Sequence, residues 1–130
     1  GEVQAGGKLG LAARDAARLG RLVLNRGRWG ATQVLPRRWI EDMVTPISRL
    51  SVDVGYGVLW WSMELALGTE GRRVRAEIMM GNGGNMVAVV PELDAVIVIQ
   101  AQAYRNGQAH DVSRLLLTRY VLPALSAYRP

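Results

Sequence analysis

The stretch best suited to chemistry is a glycine-rich turn that leads directly into an apolar strand. Gly81-Asn82-Gly83-Gly84-Asn85 is followed by residues 86–90, and the strand stops at Pro91. Glycine permits positive φ and a close approach of the backbone to another group, while residues 86–90 are rich in β-forming side chains. Flexible backbone at the end of a rigid strand can aim N–H groups at a ligand. The glycines alone favour a plain hairpin turn, so a binding role needs further support.

Other reactive side chains are scarce. The chain has no Cys, which excludes disulfides, thiolate catalysis and Cys-based metal sites. His110 is the single histidine, and a lone His before a helix is more often a surface or capping residue than a catalytic one. No set of His and carboxylates has ligand spacing, so the sequence predicts neither a metal site nor a cofactor.

Length, composition and charge limit the class of protein. With 130 residues and 49% hydrophobic content, the chain is one globular domain or part of one. No apolar run could span a bilayer, and no signal peptide is visible. Because the chain begins at Gly1, we expect its natural N-terminus to lie elsewhere, and the compartment stays open between exported and cytoplasmic. The net charge is +5, but the arginines are scattered without interleaved aromatics, so we predict solvated faces and no nucleic-acid partner.

Helical periodicity occurs before and after the centre of the chain. Residues 11–25 form a first predicted helix with a poor N-cap, and Gly27 is a suitable left-handed residue to end it. Pro36 fits the first turn of a second helix, which ends at Thr45-Pro46. Asp111 is the predicted N-cap of a last helix that ends or kinks at Pro123.

Strand-like alternation occupies the region between these helices. Residues 55–63, 73–80, 86–90 and 95–103 are the predicted strands, after a loop over 47–54. Short connections favour an antiparallel meander of about four strands, so the fold class is α+β with two N-terminal helices and one C-terminal helix. Residues 55–63 are apolar on both faces and should be central, whereas 73–80 should have one wet face or lie at an edge. A sheet that is apolar on both faces needs cover on both, either from the first two helices or from a partner.

Short motifs recur along nearly the whole chain in a specific order. They are Gly6-Gly7, Ala13-Arg14-Asp15, Leu24-Asn25-Arg26-Gly27-Arg28-Trp29, Leu35-Pro36, Trp39-Ile40, Gly55-Tyr56-Gly57, Trp60-Trp61, the glycine-rich turn at 81–85, and Val89-Val90-Pro91-Glu92-Leu93-Asp94. Together they resemble the serine β-lactamase-like family, which includes class C β-lactamases, penicillin-binding proteins, esterases and nylon-oligomer hydrolases. The resemblance implies a partial β-lactamase/transpeptidase-like fold, with a helical part over 1–54 and a sheet plus C-terminal helix over 55–130.

The resemblance also implies acyl transfer. In this family a Ser-x-x-Lys serine attacks a carbonyl, a Tyr-x-Asn tyrosine assists proton movement, and a third motif lines the site from a strand. None of the five serines is followed by Lys at the third position. Tyr104-Arg105-Asn106 matches the letters of the second motif but follows the third, so we interpret it as coincidence. We therefore assign no catalytic residue within this chain and expect both catalytic motifs upstream of it.

The third motif of the family maps onto the glycine-rich turn. Gly84 matches its glycine, and by the resemblance the N–H of Asn85 would supply half of an oxyanion hole. Asn82 and Gly83 occupy the place of its basic residue, and neither is basic. The resemblance thus implies an ester or neutral amide substrate in preference to a β-lactam.

Two functional hypotheses follow from the sequence. The first is the C-terminal part of a serine hydrolase, inactive alone, whose partners are the missing N-terminal part and a small ester or amide. The second is a noncatalytic binding module on a degenerate scaffold of the same family. Tyr56, Trp60 and Trp61 are candidate pocket residues, although large aromatics at period two are ordinarily core. A homodimer through an edge or face left exposed is a further expectation.

Overall fold

An antiparallel meander forms the centre of the molecule. The computed structural model describes residues 10–68 and 71–128, so the Gly6-Gly7 motif and positions 69–70 of the predicted turn lie outside the described residues. Its strands are β1 (Arg28–Trp29), β2 (Thr32–Gln33), β3 (Ser48–Arg49), β4 (Val54–Tyr56), β5 (Trp61–Ala66), β6 (Arg73–Gly81), β7 (Asn85–Val90) and β8 (Ala95–Ile99). Strands β3 to β8 pair in sequence order, each antiparallel to the next, while β1 and β2 form a separate hairpin. The α+β meander is confirmed, and its sheet has six strands where about four were expected.

Helices cover both faces of this sheet. They are α1 (Ala13–Leu24), α2 (Arg37–Val44), α3 (Ala109–Leu116) and α4 (Leu122–Ala127), with a π-helical turn at Leu117–Val121 between the last two. Gly20 of α1 lies so close to β8 that a Cβ there would stand 2.5 Å from Cγ1 of Val96. Val87 and Val89 of β7 also lie next to Gly20, whereas Ala88 belongs to the core cluster that contains Leu117 and Leu122. Alternate residues of β7 therefore face the two different helical layers. The first helix therefore supplies cover on the face away from α3.

The main core lies beneath the C-terminal helices. Leu117 and Leu122 are fully buried there against side chains of the central strands, together with Val74, Ala76, Ile78, Ala88 and Val90. Burying such aliphatic side chains contributes about 1.5–3 kcal/mol each, so this layer is the main source of stability.

The predicted strand at 55–63 is two strands with a tight turn between them. β4 ends at Tyr56 and β5 begins at Trp61. The N–H of Gly57 donates to the carbonyl of Trp60 at 2.8 Å, and Leu59 has a φ of 64°. The prediction failed because alternation continues through the turn, which is fixed from outside by a 2.8 Å bond from the N–H of Val58 to the carbonyl of Met43 in α2.

The position of β6 in the sheet also differs from one expectation. β6 lies between β5 and β7, so the edge alternative for residues 73–80 is wrong. Polar and apolar residues alternate along β6 because one of its faces is partly exposed to solvent, where Arg73 and Arg75 lie. Within the described residues the sheet ends at β3, which lies in the predicted 47–54 loop, and at β8, which stops at Ile99 well before 103.

The helix ends combine correct and incorrect predictions. Gly27 has a φ of 84° as expected, and its N–H donates to the carbonyl of Leu22 at 2.7 Å. Asp111 is not the N-cap of α3, because that helix begins at Ala109 and the side chain of Asn106 accepts from the N–H of Gln108 at 2.9 Å. Pro123 does not end the helix. The π-helical turn just before it provides room for a ring that would clash with the carbonyl four residues earlier.

Candidate functional site

The glycine-rich turn connects β6 to β7 at one end of the sheet. Gly81 pairs with Asn85, and Asn82–Gly84 form a single 3-10 turn between them. Gly83 and Gly84 have φ values of 80° and 88°, in the left-handed region that disfavours every residue with a Cβ. The structure thus joins all four predicted third-motif residues, Asn82 to Asn85, in one tight element.

Each carbonyl of Asn82–Gly84 accepts a hydrogen bond, one from the adjoining Asn85 side chain and two from more distant residues. The side-chain amide of Asn85 donates to the carbonyl of Asn82 at 2.7 Å. The N–H of Ala103 donates to the carbonyl of Gly83 at 3.1 Å. The hydroxyl of Ser113, in α3, donates to the carbonyl of Gly84 at 2.6 Å. The conformation of the turn is therefore fixed from three directions.

Close packing explains why two successive glycines are needed. A Cβ on Gly83 would stand 2.8 Å from Cδ1 of Tyr104, and a Cβ on Gly84 would stand 2.9 Å from the carbonyl oxygen of Ala109. Both glycines are buried, whereas Gly81 and Asn82 are exposed. The turn accordingly has an inner side packed on α3 and the loop after β8, and an outer side that begins at Gly81.

The end of β6 next to the turn has an open backbone edge. β5 begins with Trp61 opposite Ile78, so Met79, Met80 and Gly81 pair with β7 alone among the described strands. An unpaired strand edge can accept an extended main chain through backbone hydrogen bonds. This edge adjoins the outer side of the turn.

The three candidate pocket aromatics separate into two groups. Trp60 is 4% exposed and belongs to the core. Tyr56 and Trp61 are half-buried, with ring centroids 4.6 Å apart and planes inclined at 56°. Since Tyr56 ends β4 and Trp61 begins β5, this pair lies at the same end of the sheet as the turn.

A groove of about 700 Å³ lies between β5 and α3. Met63 and Leu65 line it from the sheet, and Asp111 and Leu115 line it from the helix. None of its lining residues belongs to the turn or to the aromatic pair. We therefore place the candidate site at the turn, where the chain is most constrained, and not at this groove.

One buried carboxyl group among the described residues lies on the face of the sheet that α1 covers, away from α3. Glu77 is 6% exposed, and its Oε1 accepts from Nε of Arg75 at 2.7 Å, while its Oε2 has no hydrogen-bond partner in the described structure. Burial raises the pKa of Glu77, and Arg75 and the Ser62 hydroxyl oppose that rise in part. This group borders a cleft of about 490 Å³ under α1 and α2, away from the turn.

The described residues contain neither a metal-ligand set nor a membrane-spanning helix. Over 10–68 and 71–128, His and acidic side chains form no group of three that could hold a metal ion. Every helix in the same part of the chain is too short or too polar to cross a membrane. His110 lies in the first turn of α3 and not before it, and its Nδ1 is buried without a hydrogen-bond partner in the described structure.

Sequence reasoning missed two residues that contact the turn. Tyr104 has no sequence signal beyond a coincidental match to Tyr-x-Asn, yet its ring lies against Gly83. Ser113 is one of the serines that lack the Ser-x-x-Lys pattern, yet its hydroxyl donates a hydrogen bond to Gly84 across 29 positions. A local pattern cannot reveal either contact, because each depends on how the loop after β8 and α3 fold back over the sheet.

Comparison with known proteins shows a similarity to a solved structure. No family model matches the chain, and no curated protein does. Among solved structures, the chain is similar to one described as a 6-aminohexanoate-dimer hydrolase from Bacillus anthracis, with 27% identity and a TM-score of 0.54. The match covers 77% of this chain and 26% of that protein, so the chain spans about a quarter of its length. The similarity supports a partial β-lactamase-like fold of the hydrolase type.

Proposed function

We propose that this chain is the C-terminal portion of a serine hydrolase that cleaves an ester or a neutral amide through an acyl-enzyme. The observation that carries this proposal is the glycine turn with all three carbonyls fixed by hydrogen bonds, on a fold similar to that of a hydrolase about three times as long. In this proposal the chain supplies the third-motif strand and part of the oxyanion hole. The serine nucleophile and its proton-transfer partners belong to residues that precede this chain in the longer protein.

The chemistry requires a fixed donor where negative charge develops. As the serine oxygen bonds to the substrate carbonyl carbon, the carbonyl oxygen becomes an oxyanion, and the alcohol or amine then leaves with a proton. Water next attacks the acyl-enzyme and releases the acid. Donors that are already in place need no reorganisation during these steps, and removal of one can cost about 10²–10³-fold in kcat.

Two N–H groups of the turn are candidates for this donor. Our sequence-based assignment is the N–H of Asn85, which follows Gly84. The N–H of Asn82 is the alternative donor in the same turn. Asn82 is exposed, and it directly follows the end of β6 that β5 does not pair with. Both positions stay within the predicted motif.

The proposal is tested by comparing the chain with the longer protein. The coding sequence upstream of Gly1 should contain Ser-x-x-Lys followed by Tyr-x-Asn. The purified chain should not hydrolyse a p-nitrophenyl ester, whereas the longer protein should, and replacement of its Ser-x-x-Lys serine by Ala should abolish turnover. Turnover by the chain alone, or its persistence in the serine variant, would contradict the proposal.

A noncatalytic binding module is the second candidate. Asn82 and Gly83 in place of a basic residue favour it, because the family normally places a cation there. This candidate predicts that the upstream sequence lacks both motifs and that the longer protein binds but does not cleave. The same assay therefore separates the two.

A further inference from the structure

The hydrogen bonds to the carbonyls of the turn also determine the direction of the N–H groups in the same peptide groups. A trans peptide is planar, with its C=O and N–H pointing in opposite directions. A partner that fixes one carbonyl therefore fixes the direction of the N–H in the same peptide group. The Gly84 carbonyl and the Asn85 N–H belong to one such group, and the Asn82 carbonyl and the Gly83 N–H to another.

The two side chains involved are well placed for this role. Ser113 is 3% exposed, and its hydroxyl donates to Gly84 at 2.6 Å, a short and shielded hydrogen bond. Asn85 donates from Nδ2 to the carbonyls of Asn82 at 2.7 Å and Ala101 at 3.0 Å, and its Oδ1 accepts from the N–H of Ala101 at 3.2 Å. The Asn85 side chain thus ties the turn to the chain that leaves β8.

We propose that Ser113 and Asn85 are positioning residues, which hold the peptide groups of the glycine turn so that its N–H donors face the reacting carbonyl. The hydroxyl of Ser113 fixes the Gly84–Asn85 peptide from the side of α3, and it polarises the N–H at the other end of that peptide. The Asn85 amide fixes the Asn82–Gly83 peptide, and so restrains the backbone of Asn82, which carries the alternative donor N–H. This inference rests on the proposed hydrolase function for its catalytic part, but the fixing of the turn can be measured without catalysis.

The first experiment measures the turn itself in the 130-residue chain. Amide resonances and hydrogen-exchange rates of Gly83, Gly84 and Asn85 are compared by NMR between wild type and Ser113→Ala. We expect shifted resonances and about fivefold faster exchange in the turn, since one net hydrogen bond is worth about 1 kcal/mol. Core amides such as that of Val89 should stay unchanged. Thr118→Val is the matched control, because it removes a helix hydroxyl that bonds only within the helix, to Arg114 and Leu115.

A second pair of variants tests the Asn85 side chain. Asn85→Asp keeps the shape of the side chain but removes both N–H donors of Nδ2. We therefore expect the amide resonances of Gly83, Gly84 and residue 85 to shift, and their hydrogen exchange to become faster. Asn106→Asp is its control, because the bond from Gln108 uses only Oδ1 of Asn106, an acceptor that Asp retains. The proposal would be overturned if the amide resonances and exchange rates of the turn were unchanged in both Ser113→Ala and Asn85→Asp. It would also be overturned if these quantities changed equally in the turn and in the core.

Kinetics on the longer protein then test the link to catalysis. Ser113→Ala should lower kcat about 10–100-fold with little change in KM, since the donor acts mainly in the transition state, and Ser113→Thr should restore part of the loss. If the amide resonances of the turn shift in the variants but kcat of the active enzyme stays unchanged, the catalytic role of the two residues is refuted. Shifted turn amides together with no activity in the wild type would instead refute the proposed function and leave the fixing of the turn intact.

Discussion

Gly84 and Ala109 approach so closely that a Cβ on Gly84 would stand 2.9 Å from the carbonyl oxygen of Ala109. The same Cβ would be 3.0 Å from the hydroxyl of Ser113. Because the φ of Gly84 is also +88°, glycine is required here for two independent reasons, backbone conformation and packing against α3. This contact joins the glycine turn to the C-terminal helix and so connects the candidate site with the stability of the fold.

Substitution of Gly84 separates these two requirements. Gly30→Ala is the matched control, because Gly30 also has a positive φ of +58° but has no atom within 4 Å of a built Cβ. Gly30→Ala should lower the free energy of unfolding by about 1–2 kcal/mol through strain alone. Gly84→Ala should cost about 1–3 kcal/mol more, because the turn or α3 must shift. Urea unfolding followed by tryptophan fluorescence measures both, and equal losses would show that packing at Gly84 is unimportant.

The core under the C-terminal helices offers a second test. Leu117 is fully buried and Leu115 is 53% exposed, although they lie two positions apart in one continuous helical stretch. Leu117→Ala should lower the free energy of unfolding by about 2–5 kcal/mol, because it removes buried atoms and leaves a cavity. Leu115→Ala should change it by less than about 0.5 kcal/mol. A large loss at Leu115 would mean that another surface covers this helix face in solution.

Much of the fold could be predicted because the deciding interactions are local. Gly27 follows an amphipathic helix at the place where a left-handed residue closes it, and Asp15 pairs with Arg18 at 2.5 Å one turn away. The strands at 73–80 and 86–90 are recognisable from alternation and from the glycines between them. These features depend on neighbours within a few positions, which a sequence displays directly.

Most of the errors arise where distant contacts decide. The turn at Gly57–Trp60 is fixed by the carbonyl of Met43 in α2. The start of α3 is a local error instead, because the helix begins at Ala109, directly after the N–H of Gln108 donates to the side chain of Asn106. The glycine turn was located from its residues, but its contacts with Tyr104 and Ser113 require the whole sheet and α3. Ser113 carries no pattern of its own, so sequence alone gave no reason to include it.

Self-association is expected at the β3 edge of the sheet. Ile47, Leu50 and Val52 are 77%, 61% and 89% exposed around this short edge strand, which leaves apolar surface and unpaired backbone together. We expect the 130-residue chain to form dimers or larger species that light scattering detects at high concentration. Val52→Lys should reduce them, and Val34→Lys, which alters an exposed valine away from β3, should not. A monodisperse wild-type monomer would contradict this prediction.

The pH dependence of stability should depend on Glu77. Burial raises its pKa above the ordinary value of 4.5, so between that value and the raised one the native state holds a proton that the unfolded chain has lost. The free energy of unfolding should therefore decline as pH rises through this window and level off above the folded pKa.

Glu77→Gln should remove this decline, because the amide does not titrate. Glu41→Gln provides a contrast of opposite sign. The hydrogen bond from Arg37 holds the pKa of Glu41 below its ordinary value, so its contribution is lost as pH falls. Urea unfolding from about pH 3 to about pH 8 in wild type and both variants measures the slopes, and the lower end of this range covers the pH below 4.5 at which Glu41 titrates. Parallel curves for wild type and Glu77→Gln would show that the Glu77 carboxyl titrates alike in the folded and unfolded chains, and that its burial does not penalise its charge.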